Sequence, residues 1–387
     1  MVKKSKLGLT LVASATLAST SLIALAGPAS MASATTNVNW AKVTQLSKTG
    51  ATSMAALVAA AKKEGTLNVI ALPANWANYG QLISTFASKY GIKVNSENPN
   101  GSSAQEISAL AADKGRSSAP DVIDVGTSYA LTAMSSHLLA PYKVATWSEI
   151  PAGLKDSKGY WFDDYGGYVA IGCNTAAVKS CPTSFKSMLS ATASSGYKIG
   201  LNDSPLNSNS ALAGVQAAAV ANGGSLNNVA PGVSLFAKLN KNGTFVPTIA
   251  NASTVESGAT NIVIWWDYLQ ASGISAAVKT WKVSVPSDAV LGEYYSQAIS
   301  SSAPDPAAAR LWEEYLYSVT GQNLWLKGLA RPAELAYMQA HGQANKAWLA
   351  KLPALPKGAK PLYPTTAQIS SAAKVITNTW ATQVGAG

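Results

Sequence analysis

The acidic side chains Asp163, Asp164 and Asp267 are the first candidates for chemistry, because a carboxyl pair can supply the acid and base of glycoside hydrolysis. Adjacent aspartates also serve as turn and cap residues, and nothing else in the chain supports catalysis. The two histidines, His137 at the end of a helical segment and His341 in QAHGQ, have no serine or cysteine nucleophile pattern beside them. There is no G-x-S-x-G, H-E-x-x-H or G-x-x-x-x-G-K-[ST] motif, and no G-x-G-x-x-G follows the first apolar strand. Two cysteines and two histidines without nearby partners do not make a metal site. The chain reads as a non-enzyme without cofactor, with a secreted hydrolase using acidic residues as the alternative.

A second set of residues suits binding, and the elements around it say where it gathers. MAALVAAAKK (54–63) has helical periodicity closed by Gly65, TLNVIAL (66–72) is a buried strand, and 78–90 is a helix ended by Gly91. IKV (92–94), a helix over 104–113, DVIDVG (121–126) and a helix over 128–138 continue the alternation. A second block follows from Tyr168: YVAIGCNT, the helix SFKSMLSAT, YKIGLN, an Ala-rich helix over 210–221, NIVIWW (261–266), WKVSVPS and YYSQAIS, then helices over 306–318 and 366–380. Strands alternating with helices at this spacing imply an α/β fold with largely parallel sheets. In open sheets of that kind ligands sit beyond the carboxyl ends of the strands. Those ends carry Asn75, Trp76 and Tyr79; Thr127, Ser128 and Tyr129; Asn202 and Asp203; and Trp265, Trp266 and Asp267. Asp203 could also cap the NDSP turn, and Asp267 the helix that follows it.

The 387 residues are 48% hydrophobic and 12% charged, with 30 Gly and 18 Pro, which excludes disorder, collagen-like repeats and a disulfide miniprotein. The net charge is +10, yet no cluster of five basic residues occurs, so nucleic acid is not an expected partner. Lys3, Lys4 and Lys6 precede an uncharged run from Leu7 to Ala26, and Ala32-Ser33-Ala34 completes the layout of a secretory signal peptide over 1–34. Its removal, with three lysines and no acid, takes the charge to +7. No cysteine follows the apolar run, so a lipid anchor there is not expected. The mature protein is therefore expected to be exported and soluble, periplasmic or at the cell surface. An even pair of cysteines in an exported chain, Cys173 and Cys181, favours a disulfide closing a short loop.

The segment AAAKKEGTLNVIALPANWANYGQLISTFASKYGIKV (59–94) resembles the opening of the exported solute-binding proteins of ABC importers. APDPAAARLWEEYLYSVTGQNLWLKGLARP (303–332) is similar to the late helix of the same family, and PDVIDVGTS, YGGYVAIGCNT and NIVIWWDYL lie between them in the expected order. The resemblance covers nearly all of 54–345. It implies a two-lobed α/β fold of the type 2 periplasmic-binding-protein kind: two mixed, mostly parallel sheets flanked by helices, with a hinge of two crossing strands that closes on a solute. On this basis 35–167 plus 291–345 would form lobe 1, 168–290 lobe 2, and 346–387 a C-terminal helical extension. Partners would be a small-molecule solute and the membrane permease, with the protein itself a monomer.

NWANY is similar to the N-W-x-x-Y element of the spermidine/putrescine-binding group, whose aromatic side chains box methylenes and whose carboxylates hold ammonium ends. By that resemblance Trp76, Tyr79 and Tyr129 are the aromatic contacts, and Asp203 and Asp267 with Trp266 the acidic region. Asp164 would face the cleft from the first crossing. On the returning crossing alternation turns only one of Tyr294 and Tyr295 inward, taken as Tyr295. The second acid of the polyamine proteins is replaced after Asp203 by Ser204, Pro205, Leu206 and Asn207. Ferric-ion binders place two consecutive tyrosines after the strand matching NIVI, where this chain has Trp266-Asp267-Tyr268. Asn75, Thr127, Ser128 and Ser210 would equally suit an anion at helix N-termini, so phosphonate- or thiamine-type solutes stay open.

Overall fold

The computed structural model describes residues 38–385, so the expected signal peptide over 1–34 lies outside the described residues. The described residues cluster as one unit. The first helix, α1 (Met54–Glu64), starts on a Ser53 cap and ends at Gly65 in the left-handed conformation. Strand β1 (Thr66–Ile70), α2 (Tyr79–Tyr90), β2 (Lys93–Glu97), α3 (Ser103–Ala112), β3 (Val122–Gly126) and α4 (Thr127–Ser135) then alternate as the apolar patterning dictates. The second block runs β4 (Phe162–Asn174), β5 (Ile199–Leu201), α5 (Asn209–Ala221), α6 (Ala230–Lys241), β6 (Ile262–Trp266), β7 (Trp281–Ser284) and β8 (Gly292–Ser300). Helices α7 (Pro306–Leu316), α8 (Val319–Lys327) and α9 (Thr366–Gln383) follow.

The strands lie in the order β2-β1-β3-β8-β4-β6-β5, with β7 also on β4. Pairing is parallel for β1 with β2 and β3 and for β5 with β6, where helices make the crossovers. It is antiparallel wherever β4 and β8 take part. The sheets are mixed, and parallel pairing is confined to their flanks, a smaller share than expected, because β4 and β8 both run against their neighbours. Strand β4 changes partner midway: Phe162 to Tyr168 pair with β8, and Val169 to Cys173 with β6. Having neighbours on both sides along its length, it is buried from Phe162 to Cys173. Gly167 is required there, since a Cβ would stand 2.4 Å from Asp267 Oδ1.

The continuous core includes an aromatic pile, with Tyr165 stacked on Trp325 at 4.3 Å and on Tyr295 at 5.6 Å, and Tyr79 edge-on to Trp325 at 4.9 Å. A Cys173–Cys181 disulfide is formed, with a Cα–Cα distance of 5.9 Å. The tail returns to the crossing strands: Leu362 N–H donates to Val290 O at 2.8 Å, and Gly292 N–H donates to Leu362 O at 2.9 Å. Helix α9 then packs on α4, α5 and α6, with Trp380 against Phe236. Among the described residues no helix is long and apolar enough to cross a membrane.

Candidate functional site

The loop after β1 is held in a conformation that local preferences oppose. Ala71, Ala77 and Asn78 all have positive φ, at 57°, 43° and 72°, and such geometry costs about 1–2 kcal/mol per non-glycine residue. Bonds from Trp76 N–H to Pro73 O, from Gly80 N–H to Ala74 O and from Asn78 Nδ2 to Leu324 O keep it there. The result is to project Trp76 from the sheet. Its Nε1 donates to Tyr165 Oη at 2.7 Å, Tyr165 donates to Asp124 Oδ2 at 2.8 Å, and Tyr79 donates to the same oxygen at 2.6 Å. A buried carboxylate thus fixes, through one phenol, the indole that faces outward.

Trp76 forms one wall of a cavity of about 320 Å³. From the β1–β3 side come the loop ends at Asn75 and Ser102, the α3 side chain Glu106 and Asp124; from the β5–β6 side come Asn202, Asp203, Asn209 and Trp265; Tyr295 of β8 lies between them. Trp76 meets Trp265 edge-on at 5.8 Å and Tyr295 at 5.7 Å, so three aromatic rings share a corner. Asn209 opens α5, and it packs so close to the start of α4 that a Cβ on Gly126 would lie 2.5 Å from it. Ser208 caps α5, and its hydroxyl, that of Ser210 and Asn202 Nδ2 are mutually bonded.

The electrostatics are one-sided. Asp124, Glu106 and Asp203 line the cavity, and no Lys, Arg or His does. Burial pushes the Asp124 carboxyl up to about 7 and that of Glu106 well above the usual carboxylate range. Asp124 Oδ1, Asn202 Oδ1 and Asn209 Oδ1 are buried without a hydrogen-bond partner. Unsatisfied buried acceptors are costly, so the arrangement favours a ligand that donates N–H or O–H groups. Among the described residues no group of three or more His, Cys, Asp or Glu is placed to hold a metal ion.

Of the residues expected from sequence, Asn75, Trp76, Asn202, Asp203, Ser210, Trp265 and Tyr295 line this cavity. Tyr129 and Ser128 sit on the first turn of α4 and do not; Tyr129 Oη bonds Asn207 O at 3.3 Å. Four others are corrected by their burial. Tyr79 is fully buried beneath the cavity as a partner of Asp124 and Gln297, and Asp164 accepts from Gln297 Nε2 and its neighbouring amide. Trp266 is turned inward, its Nε1 on Tyr295 Oη at 3.3 Å. Asp267 accepts Arg331 Nη1 at 2.6 Å and the amides of Tyr168 and Tyr268, which leaves no room for a solute ammonium. The carboxyls that line the cavity are Asp124, Glu106 and Asp203. Asp124 carried a signal in the sequence, an acid inside the apolar strand VIDVG; Glu106 carried none.

The family described as bacterial extracellular solute-binding protein matches residues 117–371. No curated protein sequence matches the chain. Among solved structures it is similar to AfuA of Actinobacillus pleuropneumoniae with fructose-6-phosphate bound, at 18% identity and TM-score 0.66, over 83% of this chain and 99% of that one. Iron-bound HitA of Pseudomonas aeruginosa is similar at 17% identity and TM-score 0.58, over 81% and 97%. A protein assigned to a spermidine/putrescine ABC transporter of Listeria monocytogenes is similar at 10% identity and TM-score 0.61, over 81% and 98%.

Proposed function

The chain belongs to the bacterial extracellular solute-binding protein family, and from that premise we propose that it captures a polyamine-like organic cation for the permease of an ABC importer. On this reading 35–167 with 291–345 and 168–290 act as two lobes that close on the solute, and β4 and β8 are the hinge. The observation that carries the choice of a cation is the charge of the lining: three carboxyls, Asp124, Glu106 and Asp203, with no basic residue among them, and unpartnered oxygens on Asp124, Asn202 and Asn209. An ammonium draws these buried carboxyls into their ionised form and is compensated by them, whereas an anion finds no cationic side chain in the lining. Trp76, Trp265 and Tyr295 supply ring faces for methylenes and for the cation itself, with about 0.5–2 kcal/mol per cation–π contact.

One observation favours a second reading. The N-termini of α3 and α5, at Ser103 and Asn209, both open on the cavity and would suit an anionic solute. The hydrolase reading loses its pair at this cavity, since Asp267 is locked by Arg331, Asp164 is buried beneath it and Asp163 does not line it. Calorimetric titration with putrescine, spermidine, 1,4-butanediol and fructose-6-phosphate tests the proposal. Binding of an amine, with the diol at least about tenfold weaker, is expected. Binding of the phosphate ester alone overturns the cation and favours the helix N-termini.

A further inference from the structure

A second cavity, of about 610 Å³, lies across β8 from the first. A side-chain bond, Asn209 Nδ2 to Glu293 Oε2 at 2.7 Å, joins a residue lining the first cavity to one lining the second. On β8, Tyr295 lines the first cavity, and Glu293 and Tyr294 line the second. The tail covers the second cavity with Tyr363 and the start of α9.

We propose that this second cavity binds a small amine with an aromatic body, at a site distinct from the solute cavity. Glu293 is 6% exposed, and while Oε2 is taken by Asn209, Oε1 has no partner. Asp163, also buried, faces the same cavity and uses Oδ1 for the hydroxyls of Ser296 and Thr127. No Lys, Arg or His lines the space. The nearby guanidinium of Arg331 is already committed to Asp267 and to Pro353 O, with Tyr168 under it at 4.6 Å. An ammonium donating to Glu293 Oε1 satisfies the orphaned acceptor and stabilises the ionised form of a carboxyl that burial alone raises to about 8. Beside Thr127, Thr365 and Thr366 the cavity has an apolar wall: Trp161, whose Nε1 also lacks a partner, Leu154 and Ile369, with Tyr294 and Tyr363 rings 6.3 Å apart, give a flat hydrophobic body ring faces to pack on. This inference does not depend on the nature of the transported solute.

The probe is 2-phenylethylamine, and the readout is the indole N–H resonance of Trp161, assigned by its loss in Trp161→Phe. A saturable shift is expected with the amine, and one at least about tenfold weaker with 2-phenylethanol. Glu293→Gln should weaken amine binding at least about tenfold. Leu154→Trp, which fills the space without touching a charge, should abolish it in a protein of unchanged circular dichroism. No saturable shift up to about 10 mM overturns the site. So do equal binding of alcohol and amine, or binding that survives Leu154→Trp.

Discussion

Asp267 shows what a residue's identity can and cannot say. An acid directly after NIVIWW reads equally as a helix cap or an ammonium anchor, and the partner that decides, Arg331, lies 64 positions later. Its substitution is therefore a test of stability. Asp267→Asn should lower unfolding free energy by about 3–5 kcal/mol, measured in urea, because it strands a buried guanidinium. The amine affinity of any folded fraction should be unchanged. Asp203→Asn is the opposite case: Asp203 is half-buried at the cavity, so amine affinity should fall by about 1–3 kcal/mol with little loss of stability. Trp265→Ala should weaken the amine by about 1–3 kcal/mol through lost ring contact and apolar area. Since Asp124 must be ionised to pair with a cation and burial raises its carboxyl to about 7, amine affinity should rise as pH goes from about 5 to about 8.

At the scale of elements, the strands and helices of the first block were legible because each has its period and its punctuation: Gly65 and Gly91 close helices, and β1 and β3 are apolar runs. The start of β4 was not, because FDDYGG carries two acids and two glycines where a buried strand should be apolar. Those acids find Ser296, Thr127 and Gln297 as partners, and the glycines admit Asp267 and the β8 backbone. Helix α6 was also missed, since APGVSLFAKLNK opens with two helix breakers; Pro231 is tolerated in the first turn, where its missing N–H has no bond to lose. The cysteine pair needed only parity and export to be read. Its short loop sets a modest contribution: Cys181→Ser should cost about 2–3 kcal/mol in urea unfolding, with amine affinity intact.

Over the whole molecule, buried carboxyls set an unusual response to acid. Burial raises Asp121 to about 7 and Asp163, Glu293 and Glu334 to about 8. Each binds its proton more tightly folded than unfolded, so the stability it contributes is complete below the ordinary carboxylate range and is lost as pH climbs through about 7–8. Calorimetric scans of the ligand-free protein should therefore give a higher Tm at pH 5 than at pH 8.5; a flat or reversed trend would show these groups to be ionised throughout.

On the proposed two-lobed reading, the tail would bear on time rather than affinity. By hydrogen-bonding Leu362 to Val290 and Gly292, and by seating α9 on α4 as well as on α5 and α6, the chain lays a third strip beside the two that cross. A wider ribbon bends less readily, and a splaying of the two proposed lobes would have to slide the tail along with it. How long a captured molecule stays, and how fast the permease can empty the protein, would then be governed by residues such as Leu362 and Tyr363, which never touch the cargo.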